Sequence, residues 1–253
     1  MKRIAVFNCK GGVGKTTTAL NLAAAVEKNG GSSRLLDLDP QAHLTRVFNL
    51  LPFDQEASSY SLYANTGSVL TLEKPLPGIG QLVPAHGALM KADSVFGKGP
   101  ATLNRLRMAL DAADMVEPRT TFVDCSPFLG VLSISAIFVA DLVLIPVSAD
   151  FMSMQGAHQI ANALNALQPV LKHRVNRRFL LTRYDRRRRM CHEVLSKMLE
   201  TYPGEVCQTL IRESTAVATS PSQQKDIFAY QPSSPGAVEY QQLHDELREQ
   251  SLL

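Results

Sequence analysis

Ile4-Ala5-Val6-Phe7-Asn8-Cys9-Lys10-Gly11-Gly12-Val13-Gly14-Lys15-Thr16-Thr17 runs from an apolar tetrad into a glycine-rich turn that closes on Lys-Thr-Thr. A phosphate-gripping loop needs glycines so that successive backbone N–H groups point into one concavity. It also needs a lysine for the β- and γ-phosphates and a hydroxyl for Mg²⁺. Gly11, Gly12, Val13, Gly14, Lys15, Thr16 and Thr17 supply that set, with Lys15 as the catalytic cation and Thr16 as the metal-binding hydroxyl. Residues 17–26 then carry Leu20, Ala23, Ala24 and Val26 on one face, which predicts a helix whose positive end meets the anion. The ordinary pattern G-x-x-x-x-G-K-[ST] fails at its first position, where Cys9 stands, whereas the deviant pattern K-G-G-x-G-K-[ST] fits. Its additional lysine is Lys10. Beside the phosphate-wrapping glycines, that ammonium predicts a catalytic cation acting on the nucleotide of a facing subunit, as arginine fingers do, and hence dimerisation on ATP binding.

Outward from the loop, strand-like and helix-like segments alternate. Residues 34–38 read as a second strand that Pro40 stops, leaving Asp37 and Asp39 at its carboxyl end. Residues 50–98 are weakly patterned, with one short strand at 80–83. A helix over 101–113 precedes a strand at 121–124 that ends in Asp124. Further strands are expected at 142–147 and 179–182, with helices at 151–167, from about 189 to 200, and at 236–249. This order predicts an α/β fold: a mostly parallel sheet flanked by helices, with ligands at the carboxyl ends of the strands. Asp124 there has the form of a Walker B aspartate, a Mg²⁺ ligand. Asp39 is assigned to orienting the attacking water, and Asp37 to the metal shell or to fixing its loop.

Composition sets the outer limits. The chain has 253 residues, of which 45% are hydrophobic and 19% charged, ordinary values for a soluble globular protein. No linker divides it, so one domain spanning 1–253 is expected. It enters a strand without an apolar leader, which points to the cytoplasm. Cys9, Cys125, Cys191 and Cys207 form no C-x-x-C pair and the six histidines are dispersed, so no structural metal is expected.

The net charge is only +3, yet Lys172, Arg174, Arg177, Arg178, Arg183, Arg186, Arg187, Arg188 and Arg189 crowd one segment, opposed there only by Asp185. A charge run is often a solvated face. This one flanks a strand instead of lining one helix, and the family resemblance drawn below implies that Lys172, Arg174, Arg183 and Arg186–Arg189 contact DNA phosphates non-specifically. Stable membrane binding is not expected, because Glu239, Asp245, Glu246 and Glu249 make the last helix acidic.

Taken together, Lys10 to Thr17, Asp37-Leu38-Asp39-Pro40-Gln41 and Val123-Asp124-Cys125-Ser126-Pro127 resemble, in order and separation, the deviant-Walker ATPases of the ParA/MinD family. Leu144-Ile145-Pro146-Val147, Thr182-Arg183-Tyr184-Asp185 and Ser220-Pro221-Ser222 resemble the later landmarks of its ParA-type members. The resemblance implies an ATP- and Mg²⁺-dependent homodimer, with Lys10 on the partner's nucleotide and hydrolysis stimulated by a cognate activator. It also implies release from the nucleoid on hydrolysis. The cargo it implies is a plasmid, a chromosome origin or a protein body such as a carboxysome. Arg187 matches a DNA-contacting arginine of the family. The family's P-R-N-V-R segment falls on Arg212-Glu213-Ser214-Thr215-Ala216, which nominates Arg212 for the base site and departs from the family there. No winged-helix or helix-turn-helix segment precedes the first strand, so operator binding is not expected. A MinD-like regulator of septum, flagellum or secretion placement is the alternative. A metal-cluster carrier would need a second cysteine after Cys125.

Overall fold

Strands that are apolar on both faces need cover on both sides. In the computed structural model, which describes residues 1–171 and 175–253, seven strands form one sheet, and those at its centre are of this kind. The seven are β1 (Arg3–Val6), β2 (Ser33–Asp37), β3 (Lys74–Leu76), β4 (Gly80–Val83), β5 (Thr120–Asp124), β6 (Leu142–Ser148) and β7 (Asn176–Thr182). The order across the sheet is β3-β4-β2-β5-β1-β6-β7, and only β3 runs antiparallel to its neighbour. The expected α/β architecture with a mostly parallel sheet is the one observed.

The two-residue repeat of a strand sorts side chains between the layers. Ala5, Val143, Ile145 and Leu181 face one core, built with the helices Pro100–Val116, Val131–Val139, Phe151–Leu167 and Arg189–Thr201. Ile4, Val6, Leu144 and Leu180 face the other, built with the helices Lys15–Lys28 and Pro235–Glu249. Pro146 sits inside β6 without disrupting the β1 ladder, because that pairing ends at Val6↔Leu144 and the Asn8 amide then donates to the Pro146 carbonyl at 2.7 Å.

β1 lies between β5 and β6, and the chain leaves its neighbours in both directions, so a crevice opens at its carboxyl end. The register sets Val6 and Asp37 level with Asp124 on either side of β5. The phosphate loop and the strand-end carboxylates therefore share one edge of the sheet.

Several elements escaped the sequence pattern, among them a buried helix, an edge strand and the short helices. The helix Val131–Val139 is buried almost all round, so it lacks the polar stripe that marks an amphipathic helix. β3 contains Pro75, which is tolerated because the strand lies at the sheet edge. The weakly patterned stretch holds short helices at Tyr60–Ala64, Val69–Leu72 and Ala92–Phe96. It is tied to the sheet by the fully buried Arg34, which pairs with Glu73 at 2.6 Å and Asp114 at 2.9 Å. The assigned DNA contacts Lys172 and Arg174 lie outside the described residues.

Candidate nucleotide site and its basic flank

The loop after β1 has the backbone that its glycines permit. Gly12 and Gly14 adopt φ of +74° and +90°, left-handed values that cost other residues strain. Gly14 begins the Lys15–Lys28 helix with no side-chain cap, so the first-turn N–H groups remain for an anion. Both flanks of the loop are pinned: Thr182 Oγ1 donates to the Val13 carbonyl at 2.8 Å, and the Lys10 N–H donates to Asn8 Oδ1 at 2.9 Å. Lys15 is buried, with its ammonium donating to the Lys10 carbonyl at 3.1 Å. Burial lowers its pKa, and the Asp124 and Asp39 carboxylates oppose that shift.

The carboxylates divide into distinct environments. Thr16 Oγ1 donates to Asp124 Oδ2 at 2.7 Å, bringing the two assigned metal-binding groups together. Asp124 Oδ1 is buried and has no hydrogen-bond partner among the described residues. Desolvation, with the nearby Asp37 charge, raises the Asp124 pKa well above the usual carboxylate value. An unpaired buried acidic oxygen beside a hydroxyl suits a divalent cation or water bound to one, so Thr16 and Asp124 fit the Mg²⁺ that such a loop requires. That ion, when bound, neutralises charge on the phosphates.

Asp37 is bonded on both carboxylate oxygens. Its Oδ1 accepts the Asp39 N–H at 3.0 Å, while Oδ2 accepts the Thr45 N–H at 2.9 Å and the Thr45 hydroxyl at 2.7 Å. These bonds commit the carboxylate to the 39–45 loop, so of its alternative assignments they favour the loop-fixing one over the metal-shell one. Complete burial pushes its pKa up to about 6 despite those bonds. Asp39 itself is 8% exposed at the crevice, and its Oδ1 accepts the Gln41 N–H at 2.9 Å.

Lys10 turns toward its own chain. Its ammonium lies 2.9 and 3.1 Å from the two oxygens of Asp150 and 2.8 Å from Ser153 Oγ. Asp150 also caps the Phe151–Leu167 helix by accepting the Ser153 N–H at 2.9 Å. Burial alone would raise the Asp150 pKa, but the bonds from Lys10 and Ser153 bring it down to about 2. Neither Asp150 nor Ser153 was singled out in the sequence. The signal was present: an aspartate at a strand end, followed three residues later by serine, is a helix-start pattern.

The basic flank is less bare than its sequence. Arg187 and Arg188 share Asp185 at 3.1 and 3.4 Å, Arg189 pairs with Glu193 at 2.8 Å, and Arg177 with Glu205 at 2.5 Å. Asp185 is the acid within the run, and chain folding brings Glu193 and Glu205 to it from outside. Arg186 to Arg189 remain exposed beyond the carboxyl end of β7. Arg183 departs from them. It pairs with Glu213 at 2.9 Å and lines a cavity of ≈ 290 Å³ behind Gly12 and Gly14. Arg212 lines that cavity as well, with its guanidinium paired with Glu239.

This fold and this loop define a P-loop ATPase with a deviant phosphate grip. The AAA domain model AAA_31 matches residues 1–177. The chromosome-partitioning ATPase Soj of Thermus thermophilus is 32% identical over 249 residues, which cover 98% of this chain and 95% of that one. The chromosome partitioning protein ParA of Caulobacter vibrioides is 29% identical over 251 residues, covering 98% and 94% respectively. A Mycobacterium smegmatis protein described as cobyrinic acid a,c-diamide synthase, solved with ADP and magnesium, superposes with a TM-score of 0.85 at 25% identity. That match covers 99% of this chain and 96% of that one. The chain belongs to the ParA/Soj family of ATPases.

Proposed function

We propose that this chain is a single-domain, ATP-dependent dimerising ATPase that binds DNA non-specifically and uses the nucleoid to segregate or position a cargo, with a partner protein stimulating hydrolysis. The observation that carries the reading is Lys10: a mobile-stemmed cation at the phosphate loop, held by Asp150 at the mouth of the site. A facing copy that brought its own phosphates to this edge would compete with Asp150 for the ammonium. Phe128 and Leu129 on a loop and Phe151 and Met152 in the first turn of the Phe151–Leu167 helix are exposed around the same edge, as a face covered by a second copy would require.

In this reading Gly11 to Thr17 hold ATP, with Lys15 on the β- and γ-phosphates and Thr16 and Asp124 on Mg²⁺. Asp39 orients the attacking water, and Lys10 supplies transition-state charge to the partner's nucleotide. Arg186 to Arg189, at the same end of the sheet, contact DNA phosphates without reading sequence. The site of action is the cytoplasm, on the nucleoid. Among the described residues no helix is long and apolar enough to cross a membrane. The acidic face of the Pro235–Glu249 helix disfavours an anionic bilayer.

The test is co-sedimentation with plain double-stranded DNA and with anionic liposomes, each with and without ATP and Mg²⁺. ATP-dependent retention on DNA is the expected result. Retention on liposomes without DNA binding overturns the reading in favour of a MinD-like regulator.

A further inference from the structure

A cavity of ≈ 200 Å³ opens beside Asp39, with Met90 and Asp93 in its lining from the weakly patterned region and Ser126 and Phe128 from the loop that follows Asp124. It has room for more than one water, and Asp39 and Ser126 offer such waters polar partners. The residue assigned to the attacking water therefore borders a chamber that can supply one.

The loop that helps to enclose this chamber is tied mostly to itself. Ser126 Oγ accepts the Phe128 N–H at 3.3 Å, the Gly130 N–H donates to the Phe128 carbonyl at 3.0 Å, and the Ser133 hydroxyl donates to that same carbonyl. Among the described residues, one hydrogen bond reaches positions 126–131 from a distant segment: the Val131 N–H donates to Asp93 Oδ1 at 2.8 Å. That bond caps the helix Val131–Val139, whose own N-cap position is Gly130, a residue with no side chain to do so. Lys98 pairs with Asp93 Oδ2 at 2.7 Å, which leaves Oδ1 to the helix.

The approach is close enough to exclude a side chain. A methyl group on Gly130 would stand 2.8 and 3.1 Å from the two Asp93 oxygens, and the three atoms nearest to it all belong to that carboxyl group. Gly130 has φ −120°, an extended value open to any residue, so the obstacle is Asp93 and not the backbone.

We propose that Asp93 is a positioning residue for ATP hydrolysis. By fixing the start of the Val131–Val139 helix it holds residues 126–130 in place as a wall of the chamber beside Asp39. Without that bond the wall loosens, and the water that Asp39 aligns is no longer confined. Nucleotide binding does not depend on it, because Gly11 to Thr17 form the phosphate grip and the β5 register sets Asp124. The inference rests on the assignment of Asp39 to the attacking water.

The experiment measures kcat and KM for ATP hydrolysis at saturating protein and Mg²⁺, and the thermal midpoint, for wild type, Asp93→Ala, Asp93→Asn, Gly130→Ala and the double variant that joins Asp93→Ala to Gly130→Ala. Asp39→Asn is the control on the reading of Asp39. Asp93→Ala should lower kcat about tenfold with KM within about twofold, because a small misplacement beside the reacting groups costs rate before it costs binding. Asparagine still accepts the Val131 N–H and should recover most of that loss. Gly130→Ala pushes the carboxylate away and should reproduce the defect. The double variant should be no slower than Asp93→Ala, since both changes break one contact. A structural role alone would lower the midpoint and leave the kcat of the folded molecules in place. The proposal is overturned by a kcat for Asp93→Ala within about twofold of wild type, by no recovery with asparagine, or by losses that multiply in the double variant to about a hundredfold. Normal hydrolysis by Asp39→Asn overturns the reading of Asp39 and the proposal with it.

Discussion

The Lys10 ammonium and the Asp150 carboxylate form an ion pair at 2.9 Å across 140 positions of sequence, and the same carboxylate caps the helix that follows it. The extra lysine of the phosphate loop is therefore held within its own chain at the mouth of the site. An acid at a helix N-terminus is well placed to hold it, because the helix dipole and the Ser153 N–H stabilise the charge that attracts the ammonium.

Removing Lys10 should abolish the stimulated reaction and spare ATP binding. Lys10→Ala is expected to lose ATP-dependent dimers by light scattering and about a thousandfold in activator-stimulated phosphate release, the scale of a missing finger residue. Asp150→Asn keeps a good helix cap and drops the charge. It should dimerise at lower ATP concentration than wild type. Normal stimulated turnover by Lys10→Ala would remove the trans-acting role.

Asp124 trades stability for function. Its Oδ1 is buried without a partner among the described residues and its carboxyl is desolvated, so Asp124→Asn should raise the thermal midpoint of the nucleotide-free protein by a few degrees, equivalent to roughly 1 kcal/mol. The same change should weaken the Mg²⁺ dependence of ATP binding and cut hydrolysis at least tenfold. A lower midpoint would show that the ionised oxygen is satisfied in solution.

Asp37 should give the protein an unusual pH response. Its folded pKa of about 6 lies above the value near 3.9 of an unfolded aspartate, so the stability it contributes is full below about pH 4. That contribution declines as pH rises through 6. The difference in unfolding free energy between wild type and Asp37→Asn, followed by urea titration, should therefore shrink from pH 4 to 6 and level off above. A difference that grows over this interval would mean that the carboxyl ionises easily in place.

Asp185 should restrain DNA binding. It accepts the Arg187 N–H at 3.0 Å and pairs with both Arg187 and Arg188. Arg187→Glu should weaken ATP-dependent DNA retention and leave nucleotide affinity intact. Asp185→Asn should strengthen retention and steepen its salt dependence, because each cation freed for a phosphate adds about one released counterion. Unchanged affinity in both variants would place the DNA face elsewhere.

Arg34 staples the weakly patterned region to the sheet. Glu73→Ala leaves this fully buried guanidinium short of a partner and should cost about 3 kcal/mol of stability, measured by chemical denaturation. ATP affinity should hold, since the pair lies at the end of β2 away from the phosphate loop. A cost below about 1 kcal/mol would mean that Asp114, Thr121 and the Glu117 carbonyl satisfy Arg34 without Glu73.

The order of strands and helices was legible wherever apolar residues recurred with a clear period, and the loop itself was legible because its chemistry is confined to adjacent residues. Val131–Val139 was hidden by being buried all round. Between 50 and 98 the elements are too short to show a period, and they are held by distant partners such as Arg34. Asp37 illustrates the limit within the site: spacing left it a metal-shell or a loop-fixing role, and only the arrival of Thr45 at its carboxylate favours the second.

By itself the sequence determined the phosphate grip, the parallel sheet beneath it and the edge where Asp39 and Asp124 collect, because local spacing and strand polarity suffice for each. Tertiary structure alone decided which acid holds three cations around the site. Asp150 on Lys10, Glu213 on Arg183 and Glu239 on Arg212 come from remote segments. Ion pairing acts over a few ångströms in space, and a position along the chain carries no record of which charge folding will bring within that reach.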